Sequence, residues 1–452
     1  SWGTARLLER LGSRSIAAHL LGFAVAYAPW RTDQIPHLQM LWQPALPWLF
    51  MAFDRLLARP GPRRLAGFLG WYLVHVSAGS YLAYLAHLLL GIQFGVRLGR
   101  ARRRLLRPAA LVWLVVTPLA AGLVALPFFW PYLEARKELG LVRPAWEIER
   151  YGASAVSWLA PARRSAYVDF WPQGWVREER ALFPGFFLAS TALIGLVTLH
   201  RSRRPLTSLE LSLLIGGVTF AVLAHAKPFL LLARFLPGLD GMRVPTRGAP
   251  FVLLALGVLG ARGLETVLRI SGELATTRAR GLAMAVLAGL LLAPDLWPRR
   301  FADWERVVVE RPEDLLEVDR SLSRLSGVRG VAILPVPGGV EATREMLRAA
   351  HHGKPIGAGH AGYLPQSVRA LRYHCRYPER QVDHACFGAL QELGFSHLIV
   401  RDEGLRGPLS AGEVWGRVGS VLDPAVAQGF ELLAWDEASL LFRLRIGDGW
   451  AE

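Results

Sequence analysis

Three short stretches of the chain gather side chains able to do chemistry. The first runs Tyr27-Ala28-Pro29-Trp30-Arg31-Thr32-Asp33-Gln34-Ile35-Pro36-His37-Leu38-Gln39, so that a guanidinium, a carboxylate and an imidazole fall close together. Arg31 can grip a phosphate through paired hydrogen bonds, and Asp33 or His37 can serve as a general base. The plainer reading of the same residues is a solvated turn between helices, stiffened by Pro29 and Pro36 and anchored by Trp30. The second stretch, Leu236 to Arg247, carries Arg243 and Arg247 separated by Val-Pro-Thr. Two guanidinium groups so spaced suit a phosphate, and the alternative is that both snorkel to lipid headgroups. The third is His374-Cys375 followed by His384-Ala385-Cys386. It lacks the C-x₂₋₄-C spacing of structural zinc sites, so no metal site is expected there. A disulfide between Cys375 and Cys386 is one reading in an oxidising compartment; a pair of buried free thiols is the other.

The elements that must position these groups follow from hydropathy. A membrane-spanning helix needs roughly 20 mostly apolar residues, and 109–130, 181–199, 208–225, 249–267 and 282–297 meet that pattern, the last short but uninterrupted. Weaker spans lie at 16–30 and 38–57, broken by His19, Gln39, Gln43, Pro44, Pro47 and Asp54. The stretch 66–96, with Ser77-Ala78-Gly79-Ser80 near its middle, reads as two short helices or a re-entrant hairpin. Short arginine-rich loops mark the cytoplasmic side: Arg59, Arg63 and Arg64; Arg97, Arg100, Arg102, Arg103, Arg104 and Arg107; Arg201, Arg203 and Arg204; and the segment 262–280. On that count 131–180, which mixes acidic and basic residues, is a long outer loop, and the stretches around Arg31 and Arg247 also face outward.

Composition agrees with a membrane protein. Apolar residues make up 52% of the 452 and charged residues only 19%, too apolar a mixture for an ordinary soluble chain of this length. The formal charge of +16 sits in short clusters between apolar runs, and no nucleic-acid recognition motif accompanies it, so nucleic acid is not an expected partner. There is no G-x-S-x-G elbow, no H-E-x-x-H and no dinucleotide fingerprint, which leaves soluble hydrolase, protease and dehydrogenase readings without support. The glycine-rich run 351–363 lacks the Gly-Lys-Ser/Thr of a phosphate loop and reads as a connection. The expected organisation is an α-helical polytopic membrane domain at 1–299 followed by a small extracytoplasmic α/β domain at 300–452. In the second, 328–336 and 396–400 read as strands, 341–350 as a helix, and 430–435 with 439–444 as a hairpin.

Several stretches, taken in order, resemble the bacterial multi-spanning proteins of the GT-C glycosyltransferase type. They are Phe23 to Gln39, with its Pro-x-Arg and His-x-Gln elements; Leu126-Pro127-Phe128 through Tyr132 and Gly140-x-x-Arg143; Ser154-Ala155 with Trp158-Leu159; Leu236 to Arg247; and Gly353-Lys354-Pro355 through Gly362-Tyr363-Leu364-Pro365. The resemblance implies a GT-C-like fold in the bacterial inner membrane and a sugar donor carried on polyprenol phosphate. It also implies a glycan or protein acceptor outside the cytoplasm, with a divalent metal possible as cofactor. In that superfamily the acidic residue that contacts metal or acceptor follows the first membrane helix. The present chain reads as beginning beyond that point, as a fragment without that acid, and Asp33 is the acidic residue its first outer loop retains. On this resemblance Asp33 and His37 are the candidate catalytic pair, and Arg31, Arg243 and Arg247 the candidate phosphate ligands. The rival function is a non-catalytic transporter of lipid-linked glycans, or an envelope assembly factor, that uses the same arginines only to bind.

Overall fold

The structure is a computed structural model that describes residues 1–34, 37–105, 107–139, 143–177, 179–201, 205–274, 289, 292–296, 315–357, 366–401 and 410–445. The chain divides into two compact units, Ser1–Asp303 and Trp304–Glu452. The first is helical. Its helices are α1 (Trp2–Arg10), α2 (Ser15–Ala26), the single turns α3 (Trp30–Asp33) and α4 (Leu38–Leu41), α5 (Leu46–Ala58), α6 (Pro62–Ala78), α7 (Ser80–Leu105), α8 (Pro108–Leu139), α9 (Ala145–Tyr151), α10 (Phe186–Arg201), α11 (Ser208–Leu223), α12 (Ala226–Ala233) and α13 (Ala249–Leu274).

Among the described residues, three stretches are long and apolar enough to cross a membrane: Ser80–Arg103, Ala110–Lys137 and Pro245–Ile270. A fourth is the pair α11 and α12, which turns through 101° at a short break. The clearest sign of a lipid environment is on α8, where Leu111, Val112, Val115, Leu119, Leu123 and Leu126 are all exposed. An apolar face of that extent is out of place on a water-soluble monomer and natural against hydrocarbon. Helices α10 and α13 cross closely because Gly195 and Gly263 face each other. A Cβ on Gly195 would run into the Leu259 carbonyl, and one on Gly263 into that of Thr191. Small residues at such a crossing let helix backbones approach where lipid supplies no hydrophobic drive.

Several expectations change here. The stretch 66–96 is split at Gly79, but α7 is no short helix and is long enough to cross alone. The expected spans at 16–30, 38–57 and 181–199 shrink to α2, α5 and α10, of 12, 13 and 16 residues. Pro44 lies in the non-helical break before α5, and a proline has no N–H to continue a helix through it. The run 282–297 falls mostly outside the described residues, and it is interrupted by Asp295, whose carboxylate accepts the Phe186 and Phe187 N–H groups at 2.9 Å each. That acid completes the start of α10, where orphan donors attract a negative charge. Arg203 and Arg204, residues 275–280 and residues 358–363 of the glycine-rich run also lie outside the described residues.

The second unit has helices α14 (Glu317–Arg324), α15 (Gly339–His352), α16 (Gln366–His374), α17 (His384–Glu392) and α18 (Ala411–Val421), and strands β1 (Val331–Leu334), β2 (His397–Arg401), β3 (Phe430–Trp435) and β4 (Ser439–Leu444). The strand order is β1-β2-β4-β3, with β1 and β2 parallel and the other pairs antiparallel. Every residue of β1 is buried, the mark of a parallel strand covered on both faces. Cys375, just past α16, is disulfide-bonded to Cys386 in α17, with Cα atoms 4.6 Å apart. Asp383 caps α17 by accepting the Cys386 N–H at 3.0 Å.

Two outcomes follow. Leu123, 73% exposed near the middle of α8, should not tolerate charge: Leu123→Arg is expected to cost about 2.5–3.5 kcal/mol of insertion. Translation into microsomes would show less integrated chain than for Leu123→Phe, and equal integration would count against α8 as a lipid-facing span. Replacing Cys375 and Cys386 by alanine should cost the second unit about 3 kcal/mol, the chain-entropy value for a short loop. Denaturant unfolding of the full chain, followed through probes in that unit, measures it, and an unchanged midpoint would show the bridge to be dispensable.

Candidate functional site

The segment Leu236–Gly248 is pinned from several sides. Tyr81 and Tyr84, three apart and so on one face of α7, donate their hydroxyls to the carbonyls of Val244 at 2.6 Å and Pro237 at 2.8 Å. Arg136 of α8 holds Asp240 through a two-pronged contact at 2.8 and 2.6 Å, and the Arg143 N–H donates to the Asp240 carbonyl at 3.1 Å. Gly238 turns the chain with φ of 91°, a conformation open to glycine. Residues Pro245–Gly248 then form a tight 3₁₀ turn that leads into α13.

That turn buries Thr246 and Arg247. The Arg247 guanidinium meets the Glu179 carboxylate at 2.5 Å, and the same Nη2 lies 3.0 Å from His37 Nε2. Gln34, itself buried, donates its amide to the other Glu179 oxygen at 3.2 Å, and His37 Nε2 stands 3.7 Å from Glu179. The face of Tyr81 lies 5.6 Å from the guanidinium carbon, a cation–π distance. Burial alone would raise the Glu179 pKa, but the hydrogen bond and charge of Arg247, then His37 and Gln34, outweigh it and hold the carboxyl below its ordinary value. Glu179 is therefore ionised at neutral pH. Among the described residues it is also the one non-glycine residue with positive φ, at 61°. A strained backbone at a buried charge indicates that the surroundings fix that side chain's position.

Not every polar atom here is answered. Arg247 Nε, Thr246 Oγ1 and Gln34 Oε1 are buried with no hydrogen-bond partner among the described residues. Orphan donors and acceptors clustered around a fixed charge call for water or a polar ligand.

The other candidates are placed differently. Arg243 meets Glu147 at 3.5 Å and lies over the Tyr151 ring at 5.4 Å, with more of its side chain exposed than Arg247 has. Arg143 meets the same Glu147 at 3.3 Å. Asp33 accepts the Arg163 N–H at 3.1 Å, and burial, only partly offset by that bond and by the charges of Arg163 and Arg164, pushes its pKa up to about 6. Arg31 donates from Nε to the Val25 carbonyl at 3.3 Å and from Nη1 to the Met40 carbonyl at 3.4 Å, so part of its fork is engaged by backbone.

The acid that the sequence reading missed is Glu179. It lies in Arg177-Glu178-Glu179-Arg180, a run that looks like ordinary solvated charge, and its partners are 68 and 145 positions away. The donor set does not suit a divalent metal, because Glu179 already answers a guanidinium and shares its site with an amide donor. No group of three or more metal-ligating side chains occurs among the described residues. Neither any known family's sequence profile nor any curated protein sequence matches the chain.

If Arg247 is held by Glu179, removing the acid alone leaves a buried cation unanswered, at a cost of about 3–5 kcal/mol. Glu179→Gln should therefore lower the thermal midpoint in detergent markedly, and adding Arg247→Met should recover most of the loss, since an apolar replacement of a whole buried pair is often neutral. A single variant as stable as the parent would show that the pair does not hold the turn.

Proposed function

We propose that the chain is a membrane enzyme of the GT-C glycosyltransferase type, which moves a sugar from a polyprenol-phosphate donor to an acceptor on the outer face of the bacterial inner membrane. The observation that carries the reading is the Arg247 site: a cation fixed by Glu179 and Tyr81, with an unpartnered Nε–H and unpartnered Thr246 and Gln34 atoms around it. Such a site is preorganised for an anion that arrives with its own acceptor oxygens. Arg243, nearer the surface, adds a second guanidinium for the same phosphate, and arginine suits the task because its planar fork meets two oxygens at once.

The chemistry is a single displacement. The acceptor hydroxyl gives its proton to Asp33 as its oxygen forms a bond to the anomeric carbon. The bond from that carbon to the carrier's phosphate oxygen breaks, and its electron pair leaves with the phosphate. Charge grows on the departing phosphate, where Arg243 and Arg247 stabilise it. A carboxyl with a pKa of about 6 is well tuned for the base, being ionised at neutral pH yet more basic than an ordinary aspartate. The rival reading, a non-catalytic carrier of lipid-linked glycans, draws on the near-neutrality of Arg247 with Glu179, which suits holding a ligand as well as activating one.

One experiment separates the two. In proteoliposomes supplied with polyprenol-phosphate sugar and a mixed glycan acceptor, Asp33→Asn should bind the carrier normally but lose transfer by about 10²–10⁴-fold. Arg247→Lys should weaken carrier binding by about tenfold, the equivalent of 1.4 kcal/mol. For the parent, kcat/KM should hold above pH 6 and fall about tenfold per unit below it, because the base must be deprotonated to accept the proton. Transfer undiminished in Asp33→Asn overturns the assignment of Asp33 as the base, and binding without any transfer by the parent overturns the enzymatic reading and favours the carrier.

A further inference from the structure

A second feature of the helical unit lies away from Arg247. Helices α5, α6, α7 and α8 enclose a half-open cavity of about 310 Å³ with almost wholly apolar walls. At one end its lining includes Tyr72 and His87, joined by a hydrogen bond of 2.7 Å; at the other it includes Pro60, in the turn between α5 and α6. Tyr81, against Arg247, and Phe94, in the cavity wall, are thirteen residues apart on α7, roughly 20 Å at 1.5 Å per residue. Helix α6 likewise separates Arg63 and Arg64 at its start from Ala78, beside Tyr81 in the chain, by roughly 20 Å. The mouth at Pro60 thus opens at the opposite end of these helices from the Arg247 site.

That mouth is cationic. Arg59, Arg63 and Arg64 flank Pro60 and are exposed, and Arg64 folds back to donate to the Arg59 carbonyl. The nearest carboxylate in the chain, Asp54, is already engaged by Arg10 at 3.0 Å and Arg97 at 3.9 Å, so it does not neutralise them. An occupant must therefore have a slender hydrocarbon part for the cavity and a negative headgroup for the arginines. Its volume is at the lower bound of ligand pockets, enough for one chain and not for a large folded ligand. Helix α8 walls the cavity with Trp113, Leu114, Thr117 and Pro118 and exposes Val112, Val115, Val116 and Leu119, the face that suits lipid, so the cavity lies at the depth of the bilayer.

We infer that this cavity is a binding site for an anionic phospholipid, one acyl chain lying between α5, α6, α7 and α8 and the phosphate headgroup held by Arg59, Arg63 and Arg64. Basic groups at the end of a transmembrane cavity recognise acidic lipid headgroups by charge, while burial of the chain supplies affinity. The Tyr72–His87 pair lines the deep end and satisfies its own polar groups, so the buried chain tip meets no orphan donor. The lipid would be bound at the face opposite to the proposed transfer site, and the inference does not depend on any transfer reaction.

The test uses the full chain in detergent, titrated with dioleoylphosphatidylglycerol or dioleoylphosphatidylcholine and read by native mass spectrometry. The expected result is one retained phosphatidylglycerol per chain, preferred over phosphatidylcholine by about tenfold, which is 1.4 kcal/mol. Arg63→Gln with Arg64→Gln should bring the two lipids to parity. Gly91→Leu should abolish retention of both, since Gly91 lines the cavity and a Cβ there meets nothing within 4 Å. Because the new side chain enters empty space, its thermal midpoint without lipid should equal or exceed that of the parent, which separates loss of binding from loss of fold. Equal retention of the two lipids by the parent overturns the proposal, as does phosphatidylglycerol retention that survives Gly91→Leu or stays selective in the double glutamine variant. Stoichiometric displacement of phosphatidylglycerol by polyprenol phosphate would also overturn it, by giving the cavity to the carrier.

Discussion

Ionised side chains among apolar helices cannot draw solvation from lipid, so each must find an opposite charge or a hydrogen-bonding backbone within the chain. In the helical unit these pairings join segments far apart in sequence. Asp54 of α5 engages Arg10 of α1 and Arg97 of α7. Glu210 of α11 engages Arg262 of α13 at 2.7 Å and also closes the start of its own helix with Thr207. Asp295 closes the start of α10. The Arg247–Glu179 pair belongs to the same set, and with Gln34 and His37 it ties the turn before α13, the end of α3 and the segment before α10 into one place. A functional site in such a protein grows out of this structural need, because the group that must be neutralised is also the group that can bind an anion.

How much of this could be read in the sequence varies with the range of the interaction. The apolar spans at 109–130 and 249–267 were legible because twenty or so unbroken apolar residues have few other uses. The strands and hairpin of the second unit were legible from short β-rich runs between breakers, and β1, β2, β3 and β4 occupy Val331–Leu334, His397–Arg401, Phe430–Trp435 and Ser439–Leu444. The shorter helices were not, because a proline or glycine fixes where a helix ends without saying how many residues precede it. The 101° turn between α11 and α12 is the extreme case: Pro228 bars a helical bond to the Ala224 carbonyl and so marks the break, but nothing in the sequence gives the angle of the turn.

The site was half legible for the same reason. Arg247 and His37 drew notice as polar residues beside apolar spans, and the structure sets them 3.0 Å apart. Glu179 did not, because nothing local distinguishes an acid in an Arg-Glu-Glu-Arg run that will be buried from one that will be solvated. Arg31 shows a demand that the sequence does not display: its Nε and Nη1 answer the carbonyls of Val25 and Met40, which belong to the helices on either side of its turn.

Helix α7 shows how one element can serve two ends of such a unit without coupling them. Near its start, Tyr81 and Tyr84 carry the turn that presents Arg247; further along, His87, Leu90, Gly91 and Phe94 wall the apolar cavity, and Arg97 then answers Asp54. The three roles fall along the helix in order of depth, polar at either end and apolar between, as a crossing of the bilayer requires. Tyr81 acts through its hydroxyl on a backbone carbonyl and through its ring on a cation, two contacts that a phenylalanine would halve and a leucine would abolish. Of the cavity-facing residues, His87 pairs with Tyr72, while Leu90, Gly91 and Phe94 contribute shape alone. Side-chain changes in the middle of α7 should thus alter what lies between the helices without disturbing the turn at its start, because no polar network runs along the helix to carry the change from one to the other.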